Sequence, residues 1–228
     1  MKKVLLLGDT IRVSYQERVK ELLSDVAEVV FPHHNSGYSA AVLWYLREQF
    51  VRIYQWGEID VVHWNTGLWD HHRTLDDGLP LITAEEYLHI NRRLHKQLEF
   101  YSKKQVFATT LPAGDSYKYD KNSIYGIPKD EWNREIAEYN AVLVPYLQHH
   151  GVKINDLYST VSAHPEYLGE DGISLSEEGV EEAAQQIAAS IRLALAEGDE
   201  AKPIETKSSP SEKAEAAPYI DWEYTKKR

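Results

Sequence analysis

The chain has 228 residues, of which 43% are hydrophobic and 27% are charged, and its formal net charge at pH 7 is −11. This composition is typical of a globular protein with one buried core. The acidic charge argues against binding to nucleic acid or to an anionic membrane surface. The chain has no cysteine, which excludes disulfides and thiolate ligands, and we take a reducing cytoplasm as the expected location.

Short apolar runs alternate with longer stretches in which apolar residues recur at helical spacing. The runs predict strands and the stretches predict helices. In chain order we predict a strand at 4–7, a helix at about 15–23, a strand at 26–31, a helix at 39–56, a strand at 59–63, a helix at 84–101, a strand at 105–109, a helix at 132–150, a strand at 152–154 and a helix at 177–196. Thr83 and Glu86 form a capping box, and Ser176 can cap the last helix.

This alternation predicts an α/β fold, a three-layer α/β/α sandwich around a five-stranded, mostly parallel sheet. In such sheets the functional site lies at the carboxyl ends of the strands. That rule directs attention to five loops, at 8–12, 32–39, 64–73, 110–121 and 167–176.

We expect one domain over residues 1–197 and a flexible tail over residues 198–228. The tail is rich in Lys, Glu, Ser, Ala and Pro and has too few apolar residues to offset its ordering entropy. Its aromatic end, Tyr219–Tyr224, is interpreted either as a docked peptide or as part of the disordered tail.

Three of the loops carry recognisable motifs. Gly8-Asp9-Thr10 follows the first strand, Asn65-Thr66-Gly67-Leu68-Trp69-Asp70 follows the third, and Asp171-Gly172-Ile173-Ser174 precedes Ser176 and Gly179 at the last helix. In this order and spacing the motifs resemble the conserved blocks of the SGNH/GDSL hydrolases, over about residues 3 to 196. The resemblance implies a flavodoxin-like esterase fold and a substrate that is a small acyl ester, such as an acylated carbohydrate.

The resemblance also implies roles for particular residues. Thr10 stands where the family has its nucleophilic serine, and Ser174 stands where it has the histidine base, with Asp171 as the third member of the triad. Asn65 matches the amide that binds the oxyanion, and Gly37 would add a backbone N–H group. Four further residues of these loops are candidate binding residues, namely Asp9, Arg12, Trp69 and Asp70.

Two of the three triad positions therefore carry other residues. The methyl group of Thr10 stiffens its side chain and crowds the position of a nucleophile. Ser174 cannot accept a proton near neutral pH, whereas histidine can. Because an acyl-transfer triad needs a base beside its nucleophile, the sequence predicts that ordinary ester hydrolysis is impaired or lost.

Other residues could supply different chemistry. His33, His34, His71, His72 and His164 are candidates for a substitute base, but we interpret them as solvated histidines of loops or surfaces.

Asp9, Asp70, His71 and His72 could in principle bind a cation, but adjacent side chains rarely converge, so we expect no metal and no cofactor. Arg12 and Arg73 fit either an anionic ligand or surface ion pairs.

Aromatic residues in these loops have two interpretations, as a platform for a sugar ring or as core. Core is favoured for Trp64 and Trp69, and both stay open for Tyr117, Tyr119 and Tyr125.

Three functional hypotheses remain. The first is an esterase in which Thr10 works with an unusual base. The second is a non-catalytic protein that binds a sugar, an acidic ligand or a partner protein on the same fold. The third is an enzyme of different chemistry that uses Asp9, Asp171 or the histidines.

Overall fold

The computed structural model describes residues 1–54, 59–73, 77–123 and 126–197, with the backbone alone for 47–54. Its strands are β1 (Lys2–Leu7), β2 (Ala27–Val30), β3 (Ile59–Trp64), β4 (Ser102–Ala108) and β5 (Lys153–Asn155). Its helices are α1 (Thr10–Leu22), α2 (Ser39–Tyr54), α3 (Ala84–Tyr101), α4 (Lys129–His149), α5 (Leu157–Ala163) and α6 (Glu177–Ala196), with a 3₁₀ turn at Pro165–Tyr167.

The strands form one parallel sheet in the order β2–β1–β3–β4–β5. Helix α1 packs against α6, and α3 packs against both α2 and α4, so the sheet lies between two helical layers. The apolar residues of β1 are fully buried, as expected for a strand covered on both faces. The predicted α/β sandwich with a five-stranded sheet is confirmed.

Local sequence signals explain most of the helix boundaries. The capping box of Thr83 and Glu86 and the N-cap at Ser176 are both present, as predicted. Helix α1 begins at Thr10 rather than near Tyr15, because the side chain of Asp9 caps it. The short helix α5 was not predicted, and it begins after a second aspartate cap, Asp156.

The remaining boundaries differ by a few residues. Strand β4 begins at Ser102, three residues before the predicted start, because Ser102 pairs with Ile59 and extends the ladder with β3. Helix α4 begins at Lys129 after Pro128, and β5 is displaced by one residue. These shifts leave the loops at the carboxyl ends of the strands where the sequence predicts them.

The topological switch point of the sheet lies between the neighbouring strands β1 and β3. From β1 the chain first crosses to β2 on one side and then to β3 on the other, so the connections diverge between β1 and β3. Ligands of open α/β sheets bind at such a switch point. Leu7 and Trp64, the last residues of the two strands, are paired in register, and Asn65 donates its backbone N–H to Leu7 O at 3.2 Å.

Residues Met1–Glu197 form one compact unit. The predicted tail, residues 198–228, and its aromatic end lie outside the described residues, so the domain boundary stays a prediction. None of the helices in the described ranges is both long and apolar enough to cross a membrane.

The first turn of α6 contains a glycine that has no room for a side chain. A Cβ atom on Gly179 would lie 2.0 Å from the backbone oxygen of Tyr167, in the turn that carries the predicted triad loop. The loop and the helix therefore fit together only with glycine at this position.

We predict that Gly179→Ala lowers the free energy of unfolding by about 1–3 kcal/mol, the usual cost of overpacking. Helix propensity alone would give the opposite sign, a gain of about 0.5–1 kcal/mol. The measurement is urea unfolding, with Ala189→Gly on the exposed face of the same helix as the control for propensity. A stabilised Gly179→Ala protein would contradict the close contact.

Candidate functional site

The hydroxyl of Thr10 lies at the exposed start of α1 and accepts two hydrogen bonds. The side-chain amide of Asn35 donates to Thr10 Oγ1 at 2.8 Å, and the indole Nε1–H of Trp69 donates to the same atom at 3.0 Å. The amide orientation of Asn35 is fixed, because its Oδ1 accepts the backbone N–H of Gly37 at 2.8 Å. An indole nitrogen can only donate, so both lone pairs of the threonine oxygen face N–H groups.

Asn65, the residue predicted to bind an oxyanion, uses its side-chain amide within the protein. Its Nδ2 donates to Asp9 Oδ1 at 2.8 Å, and Asp9 Oδ1 also accepts the N–H of Ile11 at 3.0 Å. Asp9 is fully buried, and burial raises its pKa although these bonds and the charge of Arg12 oppose the shift.

Gly8 allows the close approach of Asn65 to the chain before α1. A Cβ atom at Gly8, which has φ +152°, would lie 1.9 Å from Asn65 Oδ1. Beneath this contact a narrow crevice is lined by Asp9, Tyr15, Asn65 and Thr110, among others. The Gly-Asp pair of the first motif thus positions Asn65.

The loop before α6 forms a closed polar turn. Asp171 Oδ1 accepts the N–H groups of Ile173 and Ser174, both at 2.8 Å, and Ser174 Oγ donates to Asp171 Oδ2 at 2.7 Å. Burial raises the pKa of Asp171, but these hydrogen bonds outweigh it and the pKa is lowered.

The same arrangement occurs a second time, at the start of α5. Asp156 accepts the N–H of Ser159 at 3.1 Å, and Ser159 Oγ donates to Asp156 at 2.6 Å. There it caps a helix. An aspartate followed three residues later by serine therefore makes a stable turn in this protein without any catalytic partner.

The guanidinium of Arg12 is buried and binds the loop after β2. It donates to Pro32 O at 2.9 Å and to His34 O at 2.6 Å, and it also contacts Gln16. These bonds hold the segment that carries Asn35. Arg12 thus contacts backbone carbonyl groups of the protein, whereas a ligand-binding arginine would present its fork to the open site.

Asp70 is a second fully buried carboxylate, and it joins two loops. It accepts the backbone N–H of Ser39 at 3.1 Å on both oxygens, the hydroxyl of Ser39, and the N–H of Gly67 at 3.1 Å. Burial raises the pKa of Asp70 to about 7, against the effect of these donors, and the charge of Asp9 adds to the rise.

The histidines divide into two groups. His33, His34 and His164 are exposed, as predicted, but His71 and His72 are buried, so the interpretation of these two as solvated is wrong. His71 packs edge-on against Trp132, and His72 packs against Trp69. Burial lowers the pKa of His71, and it lowers the pKa of His72 to about 4.

The other candidates have structural contacts. Arg73 binds Glu135 and donates to His71 O at 2.7 Å. Trp64 is core, as predicted, and packs against Phe107.

Tyr117 is buried and donates to Ile127 O at 2.9 Å, whereas Tyr119 is exposed. Tyr125 lies outside the described residues. Within the described ranges, no group of three or more His, Asp or Glu side chains is arranged to hold a metal ion.

The two hydrogen bonds to Thr10 are not predicted from the sequence. Asn35 is not among the predicted site residues, and Trp69 is a candidate binding residue, or core, without a predicted contact to Thr10. Both carry N–H groups on loops that follow β2 and β3, the two strands that flank β1, and this is the available signal. No motif matching could assign them, because neither stands at a triad position.

His63, within β3, is a buried histidine whose burial can be tested by the pH dependence of the unfolding free energy. It is fully buried, with Tyr15 packed edge-on against its ring, and burial lowers its pKa from 6.5 to about 3. In the unfolded chain the ring takes up a proton below about pH 6.5. The neutral ring therefore contributes stability that is fully present above that pH and is lost as the pH falls toward 3.

We predict that the unfolding free energy of the wild type, relative to His63→Gln, falls by about 2 kcal/mol between about pH 7.5 and pH 5. Urea unfolding of both proteins at the two pH values measures this difference. His33→Gln, at an exposed position, is the matched control. Parallel pH dependence of the wild type and His63→Gln would show that the ring is not held neutral.

Comparison with known proteins gives no match to a family model and no match to a curated protein. Comparison of structures gives many matches. An acetyl xylan esterase has a TM-score of 0.65 and 16% identity, covering 83% of this chain and 99% of that one. A GDSL-like lipase from Bacteroides thetaiotaomicron VPI-5482 has a TM-score of 0.63 and 16% identity, covering 85% and 89%.

A carbohydrate esterase of family 3 from Talaromyces cellulolyticus is similar to the same extent, with a TM-score of 0.63, 16% identity and coverage of 87% and 100%. At these identities the likeness concerns the fold. The resemblance stated from the motifs is confirmed at that level: the chain has the fold of the SGNH/GDSL hydrolases.

Proposed function

We propose that this chain binds a small acyl ester, of the kind carried by acylated carbohydrates, at the carboxyl ends of β1 and β3, and that ordinary acyl transfer there is strongly impaired. The ligand class is supported by the structural neighbours, whose names include acetyl xylan esterase and carbohydrate esterase. The impairment is supported by the contacts of Thr10, Asp171 and Ser174.

The observation that carries the proposal is the environment of Thr10 Oγ1. A nucleophile attacks with a lone pair while a base removes its proton. Here the N–H groups of Asn35 and Trp69 point at the lone pairs of the oxygen. Donors in this position stabilise the oxygen where it is and lower its readiness to attack.

The proton of Thr10 also lacks the acceptor that a triad supplies. Position 174 carries a serine, and its hydroxyl donates to Asp171. Asp171 in turn accepts two backbone N–H groups of its own loop. Its lowered pKa makes it a weak base, so loss of the imidazole is not offset by the carboxylate.

Ligand binding can use the same groups in a different way. An N–H donor on a side chain suits a carbonyl or hydroxyl oxygen, and Asn35 and Trp69 present two such donors at the mouth of the site. The ring of Trp69, half-buried and packed against His72, offers one apolar face for an acyl group or a sugar ring. A ligand oxygen would share these donors with Thr10 or replace it as their acceptor.

We predict that the native chain hydrolyses p-nitrophenyl acetate and acetylated xylo-oligosaccharides no faster than Thr10→Ala does. The double variant Thr10→Ser with Ser174→His should gain at least about a hundredfold in rate, the lower end of what a general base contributes. Initial rates at neutral pH measure both effects.

The matched control adds histidine to the other turn of the same geometry. Thr10→Ser with Ser159→His places an imidazole beside Asp156, in a turn that is not part of the last motif, and should show no gain. Turnover by the native chain that Thr10→Ala abolishes would overturn the proposed impairment.

Binding is tested separately, by calorimetric titration of the native chain with an acetylated xylo-oligosaccharide. Trp69→Phe removes one donor but keeps an aromatic ring, and we expect about tenfold weaker binding from the lost hydrogen bond. If the native chain takes up none of these ligands, the proposed ligand class is wrong.

A further inference from the structure

We infer that Asp70 is the positioning residue of this site, because its carboxylate fastens together the two loops that bring Asn35 and Trp69 to Thr10. The inference rests on the proposed function in so far as it concerns the same site. Beyond that function, Asp70 is the group that determines whether Asn35 and Trp69 are in place.

The contacts of Asp70 span the two loops directly. One loop, after β2, ends at Ser39, which gives Asp70 both its backbone N–H and its hydroxyl. The other loop, after β3, gives the N–H of Gly67 at 3.1 Å. A single buried carboxylate thus closes the first turn of α2 onto the segment that follows β3.

Both donors of the site lie next to these contacts. Trp69 precedes Asp70 in the chain, and its indole reaches Thr10 at 3.0 Å. Asn35 lies four residues before Ser39, and its amide is held by the N–H of Gly37 within the same turn. A shift of Ser39 relative to Asp70 therefore changes the separation of the two donors at the threonine oxygen.

The ionised carboxylate of Asp70 is the form that accepts all three of its hydrogen bonds at once. The N–H groups of Ser39 and Gly67 can only donate, the Ser39 hydroxyl can donate or accept, and an ionised carboxylate is acceptor-only. A protonated carboxyl or an amide would turn a donor of its own either toward an N–H group or toward the Ser39 hydroxyl, which would then have to reverse its hydrogen bond. At a fully buried position water cannot relieve such a conflict.

Burial and the charge of Asp9, at the start of α1, favour the neutral form of Asp70 and raise its pKa to about 7. Tyr87 on α3 and Tyr139 on α4 also interact with Asp70 electrostatically, and there the charge of Asp70 raises the pKa of each tyrosine. His71 and His72 follow Asp70 in the chain. We therefore expect the contacts of Asp70 with Ser39 and Gly67 to weaken as the pH falls below neutrality, when the carboxylate takes up a proton.

The test is nuclear magnetic resonance of the ligand-free chain, with the Trp69 indole N–H and the Asn35 side-chain amide as reporters. The Trp69 signal is assigned by its loss in Trp69→Phe. Thr10→Val removes the shared acceptor and defines the shift of the unbonded indole. In Asp70→Asn we expect the Trp69 and Asn35 signals to move in the same direction as in Thr10→Val.

Asp60→Asn is the matched control. Asp60 also accepts a backbone N–H, from Lys3 at 2.8 Å, but it lies at the opposite end of β3. This variant should leave the Trp69 signal unchanged even if it lowers stability. If Asp70→Asn does not fold, Ser39→Ala removes only the hydroxyl contact and should shift the same two signals less.

The pH dependence distinguishes positioning from general support of the fold. In the wild type the Trp69 signal should titrate near pH 7, as the raised pKa of Asp70 requires, and Asp60→Asn should retain this titration. In Asp70→Asn the titration should disappear. Unchanged Trp69 and Asn35 signals in folded Asp70→Asn or Ser39→Ala, or a titration that survives Asp70→Asn, would overturn the inference.

Failure of the inference and failure of the proposed function give different results. The resonance experiment contains no ligand, so the position of the donors is measured whether or not an ester binds. If the signals move as expected but the native chain binds no acetylated xylo-oligosaccharide, Asp70 positions the donors and the ligand class is wrong. If the ligand binds and the signals do not move, the positioning role is wrong.

Discussion

Two N–H groups converge on the hydroxyl oxygen of Thr10, and the loops of the candidate site are arranged around this contact. Asn35 and Trp69 come from loops after different strands, and both point at Thr10 at ordinary hydrogen-bond distances. Everything that fixes those loops acts on this contact. Arg12 holds the first loop from α1, and Asp70 joins it to the second.

The buried polar residues of the site therefore form hydrogen bonds with backbone groups of the protein itself. Asp9, Arg12 and Asp70 are all buried, and each satisfies N–H or carbonyl groups at the ends of strands and helices. Such groups have to find partners wherever the chain turns away from regular structure. Residues that resemble a catalytic set can for this reason be retained by the folding requirement alone.

The turn at Asp171 illustrates the same point. Two of its three hydrogen bonds, those with the residue three positions further on, are repeated at Asp156, which begins α5 and also accepts the hydroxyl of Thr109 at 3.0 Å. At Asp171 the aspartate and Ser174 likewise complete a local structure, and that structure needs no histidine. A match to a family block consequently says more about the path of the chain than about the reaction.

The fold could be predicted from the sequence because it follows from patterns within single segments. Alternating apolar runs and amphipathic stretches, with caps at Thr83 and Ser176, predict the order of the five strands and of every described α-helix except α5. The rule that sites lie at the carboxyl ends of parallel strands also selected the loops that meet near β1 and β3.

The contacts within the site could not be predicted in the same way. The bonds from Asn35 and Trp69 to Thr10 join residues 25 and 59 positions apart, and no local pattern specifies them. Burial of His71 likewise depends on Trp132, which packs against it from α4. The sequence names the candidates, but their partners depend on packing between elements.

The exposure of Thr10 has a consequence for how this protein can change over evolutionary time. Its side chain is at the surface, and Ser174 is half-buried in a loop, whereas the glycine at position 8 meets Asn65 at a distance that no other residue tolerates. Replacement of Thr10 or Ser174 changes hydrogen bonds of loops near the surface, whereas replacement of Gly8 forces a clash in the buried contact with Asn65. The candidate reactive positions can therefore vary at a lower cost in packing than the glycine beside them.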